Sequence, residues 1–312
     1  MVTDILFILA GFALLSFAAD RLVVAAARLA AKFGLSTVLI GAVVVGLGTS
    51  LPEMLVSGLA AARPGGIDFA LGNIVGSNVA NLALVLGVSA LISPIARQPR
   101  TITREGGLML LGSVMLAGLA FNNTLSRAEG AILAVGLVGA LAIIVHWSRT
   151  GAVADLDLTE EIHDTSNINT GREALLAIVS LSLTLLGADL LVRGARAVAE
   201  TIGISDAVIS LTLVAIGTSL PELATAVAAA RRNENDLVLG NVLGSNIFNA
   251  LGVGGVAGIV GNSSTAASFQ RPLIVMLAVT VLTGVLALTT KALGRREGII
   301  LLITYPLILL SI

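Results

Sequence analysis

The sequence predicts an all-α integral membrane protein with ten transmembrane helices arranged as two inverted five-helix repeats. Three observations predict it. The 312-residue chain is 56% hydrophobic and only 12% charged, ten apolar segments have the length of a membrane span, and two polar motifs each occur twice. A soluble domain of this length cannot hide so much apolar surface, because about half of its residues must face water. The bulk of the chain is therefore expected to lie in lipid.

The ten apolar segments follow from the length of a membrane-spanning helix, which is about 20 residues. The fourth and the tenth are short. The first is read as a span and not as a cleavable signal peptide, because Asp4 precedes the apolar run without a basic region before it. The segments lie near residues 5–32, 37–62, 69–93, 104–121, 128–147, 173–201, 206–230, 237–260, 270–290 and 296–312.

A polar stretch, 148–172, separates two halves, 1–147 and 173–312, and we expect it to be a solvated acidic linker. Of the 18 Lys and Arg residues, 12 fall on the side of the membrane that contains this linker and 5 on the other, with Arg21 inside the first span. The positive-inside rule then places the linker in the cytoplasm and both termini outside. The expected location is the plasma (inner) membrane.

An internal repeat relates the two halves. The segment G-T-S-L-P-E occurs at 48–53 and again at 217–222, and the pattern G-N-x-x-G-S-N occurs at 72–78 and again at 240–246. Each half holds five spans, and because five is odd the second half starts on the opposite side of the membrane. Inverted repeats of this kind are typical of secondary transporters, whose substrate site lies at the repeat interface near the middle of the bilayer.

Two glutamates, Glu53 and Glu222, end the repeated G-T-S-L-P-E segments deep inside apolar spans that carry no basic residue at that depth. An acid near the bilayer centre costs about 2.5–3.5 kcal/mol in insertion assays. A bound cation is the simplest compensation. The competing interpretation, two protonated glutamates hydrogen-bonded between helices, is disfavoured by the duplication of the whole motif.

Further oxygens surround these acids. Pro52 and Pro221 lack an N–H and crowd the carbonyl one turn back, so the carbonyls near 46–49 and 215–218 are expected to lose their helical donors. Side-chain oxygens lie one helical turn apart on shared faces. Oxygen ligands suit Ca²⁺ and Na⁺, whereas zinc and copper prefer His or Cys. The pairs are Thr49 with Glu53, Ser50 with Glu53, Ser77 with Asn81 and Ser245 with Asn249.

The paired motifs resemble the alpha repeats of the sodium/calcium exchangers, within the cation/Ca²⁺ exchanger superfamily. The resemblance covers both halves, the ten-span layout and the linker. It implies secondary active antiport of Na⁺ for Ca²⁺ by alternating access, at three Na⁺ per Ca²⁺ and therefore electrogenic, with Ca²⁺ extrusion as its role. The first and sixth spans would slide across the core. The expected partners are the two ions and the lipid bilayer, with no cofactor and a monomeric transport unit.

The resemblance also implies a ligand set. Glu53 and Glu222 would bind both ions, and the backbone carbonyls of Thr49 and Thr218 would join them on Ca²⁺. The Na⁺ sites would be completed by the hydroxyls of Ser50, Ser77, Ser219 and Ser245 and the carbonyls of Gly46 and Ala215, with Asn81 and Asn249 at the centre. Many relatives carry an acid at the position of Asn249. The amide here argues against K⁺ cotransport and leaves the third Na⁺ site and the stoichiometry open.

Other functions remain to be weighed against this one. H⁺-coupled or other cation antiport on the same fold is the main alternative, and a channel is not excluded by sequence. Net charge −1 gives no indication of a nucleic-acid partner. An enzyme is not expected, since an intramembrane hydrolase would need an aspartate dyad, an H-E-x-x-H helix or a Ser/His pair in the membrane. The chain has no cysteine, and its histidines, His146 and His163, lie at or beyond a membrane edge.

A second acid pair, Asp20 and Asp189, occupies matching positions in the first and sixth spans. Arg193 follows Asp189 by four residues, one helical turn. A structural ion pair or snorkelling to the interface is favoured over a ligand role. A gating role is left open.

Overall fold

The structure is a computed structural model that describes residues 2–96, 98–151, 168–202, 215–261, 263–264 and 268–306. Most of the predicted linker, the start of the predicted seventh span and the end of the predicted tenth span therefore lie outside the described residues.

The described secondary structure is almost entirely helical. The first half contains α1 Val2–Phe33, α2 Thr37–Ile40, a π-helix π1 Gly41–Gly46, α3 Leu47–Thr49, α4 Leu51–Ala61, α5 Gly66–Val79, π2 Ala80–Val85, α6 Leu86–Ile92, β1 Ile95–Ala96, α7 Pro99–Ala120, β2 Thr124–Leu125 and α8 Arg127–Gly151. The second half contains α9 Thr170–Thr201, α10 Ala215–Thr218, α11 Leu220–Arg231, α12 Asn235–Ile247, π3 Phe248–Val253, α13 Gly254–Gly261, β3 Ser263–Ser264, α14 Gln270–Thr289, β4 Ala292–Leu293 and α15 Arg295–Thr304.

Membrane-spanning helices are identified by length and hydropathy. In the described part of the chain, seven helices qualify, and a bent pair, 37–49 with 51–61, qualifies as an eighth span. These eight coincide with predicted segments, although the fourth begins earlier than predicted, at Pro99. The predicted seventh and tenth spans are described only in part. The chain is thus a multi-pass helical membrane protein, and the count of ten spans stays a prediction.

Helices α1 and α9 lie side by side in opposite directions. A Cβ added to Gly11 would lie 2.5 Å from the backbone of Leu191, and one added to Gly187 would lie 2.6 Å from the backbone of Leu15. Residue numbers therefore rise along one helix as they fall along the other. Small residues at such an interface let membrane helices approach closely, which is how helices without a hydrophobic driving force associate.

Two short β-ribbons join the halves. Strand β1 pairs with β4, with Ile95 opposite Leu293, and β2 pairs with β3, with Leu125 opposite Ser263. A shift of 168 residues, the offset of the second repeated motif, turns β1 into β3 and β2 into β4. The shift therefore converts one ribbon into the other with its register intact. The repeat seen in the sequence is reproduced in the pairing of the two halves.

The bent span that carries the first G-T-S-L-P-E motif packs against α12, which carries the second G-N-x-x-G-S-N motif. A Cβ on Gly240 would lie 2.4 Å from the carbonyl oxygen of Val38, and one on Gly244 would lie 2.5 Å from Cα of Ala42. Both glycines of the second motif are therefore needed for the backbones to approach. This contact sets the separation of the residues that form the site.

Candidate cation site

Each G-T-S-L-P-E motif forms a break between two helices. Ser50 separates α3 from α4 with φ −85° and ψ 1°, and Ser219 separates α10 from α11 with φ −89° and ψ 3°. Proline follows in the first turn of the next helix, where its missing N–H costs no helical hydrogen bond. The break bends the first of these spans by 43°.

The break also places both acids at helix N-termini. Glu53 lies in the first turn of α4 and Glu222 in the first turn of α11. The N-terminus of a helix carries a partial positive charge and unpaired N–H groups, which stabilise a nearby anion. The motif therefore gives partial compensation to a carboxylate at membrane depth, although much less than a full positive charge would give.

One predicted consequence of the proline is wrong. The carbonyl of Gly46 does not lose its helical donor, since it accepts the N–H of Ser50 at 3.1 Å. It also accepts the hydroxyl of Ser245 at 3.3 Å. The physical reason is that Pro52 removes only the N–H that would reach back four residues, to Gly48. The carbonyl of Gly46 lies beside a predicted ligand from the other half, but its role as a Na⁺ ligand stays a prediction.

The two acids are buried next to each other. Glu53 and Glu222 are each 1% exposed, and Ser50, three residues before Glu53, lies within hydrogen-bond distance of the Glu222 carboxylate. In the described part of the chain, every buried charged side chain is acidic: Glu53, Glu105, Glu173 and Glu222. No buried Lys or Arg among those residues offsets the two charges. The described part of the chain also contains no group of three or more His, Cys, Asp or Glu side chains that could hold a metal ion.

The hydroxyls of the motif reach across to the opposite acid. Ser50 donates to Oε1 of Glu222 at 3.3 Å. The side chain of Thr218 lies beside the carboxylate of Glu53. Each acid is therefore faced by the motif of the other half, so the structure brings the two G-T-S-L-P-E segments together as the sequence predicts.

Unpartnered polar atoms concentrate among the predicted ligands. Of the 13 buried side-chain nitrogen and oxygen atoms without a hydrogen-bond partner in the described part of the chain, 8 belong to predicted site residues. A buried polar atom left without a partner costs about 1–3 kcal/mol. Such a concentration indicates that these groups have another partner when the protein functions. They are both carboxylate oxygens of Glu53, Oε2 of Glu222, Oγ of Ser77 and Ser219, Oδ1 of Asn81, and Oδ1 and Nδ2 of Asn249.

Both central asparagines lie in π-helical segments, which the sequence pattern did not predict. Asn81 is in π2 and Asn249 in π3. Segment π2 packs against α11, which carries Glu222, and π3 packs against α4, which carries Glu53. A π-helical turn widens the backbone and re-aims its side chains, and such turns are frequent at functional sites.

The asparagines of the repeated G-N-x-x-G-S-N motif were missed as site residues. Asn81 donates to Oδ1 of Asn246 at 3.0 Å, and Asn246 donates to the carbonyl of Asn78 at 3.3 Å. The signal that could have identified them is the repetition itself, because the motif duplicates these amides together with the predicted serines. They support the central asparagines from the neighbouring turns.

Asn241 has a related supporting role. Its side-chain amide donates to the backbone carbonyl of Glu222 at 3.1 Å and to the hydroxyl of Thr225 at 3.0 Å. Its counterpart, Asn73, donates to the hydroxyl of Ser57 at 3.0 Å. Both asparagines tie the motif-bearing helices of one half together.

We expect Asn241→Ala to lower the free energy of unfolding by about 1–3 kcal/mol, because two buried acceptors lose their donor. Thermal unfolding in detergent measures the change. Asn73→Ala is the matched control and should cost less, because its amide makes one such bond in a partly buried position. Equal losses in the two variants would contradict a special role for Asn241.

The two halves of the site are not in equivalent states. Ser50 donates to Glu222, yet its counterpart Ser219 has no hydrogen-bond partner. Asn81 donates to the neighbouring motif, yet the amide nitrogen of Asn249 has no partner. Matching residues of the repeat therefore differ in their contacts, and the structure is asymmetric where the sequence is symmetric.

The comparisons with known proteins agree over nearly the whole chain. The family described as sodium/calcium exchanger protein matches residues 3–146 and 173–312. The chain is 39% identical over 312 residues to the putative antiporter CaxA of Alkalimonas amylolytica, which covers 98% of this chain and 97% of that one. It is 32% identical over 339 residues to the sodium/calcium exchanger MaX1 of Methanosarcina acetivorans, with 97% and 96% covered.

A solved structure of the sodium-calcium exchanger NCX_Mj has the same fold. It matches with a TM-score of 0.84 at 33% identity, over all of this chain and 99% of that one. These matches confirm the resemblance seen in the repeated motifs and support cation/Ca²⁺ exchange as the activity. The chain belongs to the sodium/calcium exchanger protein family, a family of membrane exchangers rather than enzymes.

Proposed function

We propose that this protein exchanges Na⁺ for Ca²⁺ across the plasma (inner) membrane by alternating access, with one site that serves the two ions in turn. The observation that carries the proposal is the pair of buried acids, Glu53 and Glu222. No Lys or Arg side chain is buried among the described residues to offset their charge. Two negative charges are cancelled by one Ca²⁺ or balanced by two or more Na⁺. A site whose charge is balanced by either ion, and is left unbalanced when the site is empty, has the charge requirement of an antiporter.

The ligand chemistry supports hard cations. Apart from the amide nitrogen of Asn249, the unpartnered atoms of the predicted ligands are carboxylate, hydroxyl and amide oxygens. Ca²⁺ takes 6–8 oxygen ligands at about 2.3–2.6 Å, including neutral carbonyl and amide oxygens. Only two of the predicted ligands are charged, so most of the shell would be neutral. A cation held by few charges is released more easily, which a transport cycle requires.

The architecture we propose is ten helices in two inverted repeats, with the linker in the cytoplasm, both termini outside and a monomer as the transport unit. The antiparallel α1 and α9 support inversion, since they are matching helices of the repeat. The two β-ribbons, which interchange under the same shift along the sequence, support it independently. In inverted repeats, alternating access arises as one bundle rocks or slides against the other around a fixed site.

The test uses purified protein in liposomes loaded with Na⁺. Ca²⁺ uptake is expected when an outward Na⁺ gradient is imposed and not when Na⁺ is equal on both sides. Uptake driven equally well by a pH gradient without Na⁺ would replace this proposal with H⁺-coupled antiport. Ca²⁺ flux that needs no counter-ion would indicate a channel.

The same liposomes test whether exchange is electrogenic. Three Na⁺ leaving for each Ca²⁺ that enters moves one net positive charge outward. An inside-positive potential should therefore speed uptake and an inside-negative potential should slow it. A potential of about 100 mV acts on one charge with about 2.3 kcal/mol, which is large enough to measure. Uptake that does not respond to potential would contradict the three-to-one ratio.

A further inference from the structure

A salt bridge joins α1 to the helix that carries one of the site acids. Arg232, which caps the C-terminal end of α11, donates from Nε to Oδ1 and from a terminal nitrogen to Oδ2 of Asp20, both at 2.7 Å. Two parallel hydrogen bonds between a guanidinium and a carboxylate give a defined geometry as well as energy. The bridge fastens α1 to α11 across a sequence separation of 212 residues.

The matching bridge of the other half is absent. Asp189, at the position of α9 that corresponds to Asp20, pairs at 2.8 Å with Arg193 on its own helix. Arg63 follows α4, which carries Glu53, just as Arg232 follows α11. The side chain of Arg63 is exposed and makes no hydrogen bond or ion pair with the described residues.

Helix packing shows the same difference. Helix α1 packs along α11, whereas the corresponding pair, α9 and α4, makes at most marginal contact. The hydrogen bond from Ser50 to Glu222, which has no counterpart at Ser219, involves the same helix α11. Three kinds of contact thus distinguish the two halves: a salt bridge, helix packing and a bond inside the site.

We infer that Asp20–Arg232 and Asp189–Arg63 are alternating bridges, one for each orientation of the transporter. The inference rests on the proposed alternating access of inverted repeats. In such a protein, a contact made by one half in one orientation is made by the other half in the opposite orientation. When α1 leaves α11, Asp20 releases Arg232, and when α9 reaches the end of α4, Asp189 exchanges Arg193 for Arg63.

The strength of the bridge suits this role. The side chains of Arg232 and Asp20 are 42% and 40% exposed. Ion pairs with that exposure change an equilibrium by about five-fold or less. Each bridge would favour one orientation without trapping it, and Arg193 would hold Asp189 while its partner is out of reach. The four residues of the two bridges, Asp20, Arg232, Asp189 and Arg63, position the moving helices and do not bind the transported ion.

Cross-linking in this cysteine-free chain tests the inference. One variant carries Asp20→Cys and Arg232→Cys, and a second carries Asp189→Cys and Arg63→Cys. A reducible bifunctional thiol reagent about as long as an arginine side chain joins each pair. We expect both pairs to link, each link to stop exchange, and reduction to restore it. A control with Arg196→Cys and Glu200→Cys, an exposed pair on the same helix that the inference does not use, should link within one helix and leave exchange unchanged.

A variant with all four cysteines gives the decisive result. Single molecules should carry one link or the other and never both, because the two bridges belong to opposite orientations. In the variant with cysteines only at positions 20 and 232, Arg63→Gln should raise the fraction of linked molecules by about five-fold or less, because it removes the opposing bridge. Failure of positions 189 and 63 to link under any Na⁺ or Ca²⁺ condition, or both links in one molecule, would overturn the inference.

Failure of the proposed function would look different. Uptake is measured on the unlinked parent protein before the reagent is added. If that protein shows no Na⁺-driven Ca²⁺ uptake but the links remain mutually exclusive, the coupling is wrong and the alternating bridges stand. If uptake is normal and positions 189 and 63 never link, the bridges alone are wrong.

Discussion

Glu53→Gln and Glu222→Gln are each expected to reduce Na⁺-driven Ca²⁺ uptake by about 100-fold or more. Two unit charges about 4 Å apart interact by about 4 kcal/mol at the effective dielectric constant of a protein, and a divalent ion doubles that attraction. Glutamine keeps the size and shape of glutamate and removes only the charge. The remaining single carboxylate cannot cancel a divalent cation at this depth in the membrane.

The same substitutions should leave the protein folded. Glutamine removes a buried charge that, without a bound ion, no buried Lys or Arg of the described residues offsets. We therefore expect thermal stability without ions to be equal to that of the unmodified protein or higher. Ca²⁺ should raise the thermal midpoint of the unmodified protein, because it binds the folded state, and should not raise that of either variant.

Glu200→Gln is the matched control for these two variants. Glu200 is an exposed acid that pairs with Arg196 on the same helix, a type of pair worth at most a few tenths of a kcal/mol. Its removal should change neither uptake nor the response to Ca²⁺. If either buried variant keeps uptake within two-fold of this control, the acids do not form the ion site.

Gly244→Val is expected to abolish uptake through packing and not through charge. The added Cβ would lie 2.5 Å from Cα and 2.7 Å from the carbonyl oxygen of Ala42, both of them backbone atoms that cannot rotate away. Overpacking of this kind costs about 1–3 kcal/mol or more. Moving α12 away from the bent span would also separate Ser245 from Gly46, which it contacts at 3.3 Å.

Gly284→Val provides the comparison for that variant. Gly284 lies within α14, and a Cβ there would meet no heavy atom within 4 Å. The chemical change is identical, so any common effect of placing valine in a helix is cancelled. Folded yield by size exclusion in detergent, thermal midpoint and uptake should fall for Gly244→Val alone. Equal behaviour of the two variants would show that the close contact with Ala42 is not required.

Several features of this protein follow from the sequence alone. The positions of eight spans, the helix breaks at the two prolines and the burial of Glu53 and Glu222 were predicted and are seen in the structure. The ion pair of Asp189 with Arg193 is one of the two roles that the sequence favoured for that acid. Each depends on composition or spacing along one or two turns of a single helix. The family resemblance came from the same short motifs, because a duplicated ion site leaves a duplicated pattern.

The tertiary structure decided everything that depends on how one helix lies against another. The bridge from Asp20 to Arg232, the supporting bonds of Asn246 and the hydrogen-bonded carbonyl of Gly46 join residues that no local spacing relates. The asymmetry between the halves is also tertiary. The two β-ribbons form the same contacts in both halves, whereas the Asp20–Arg232 bridge and the Ser50–Glu222 bond form in one half only. A repeated sequence allows such contacts in either half, so the packing of the helices selects which half makes them.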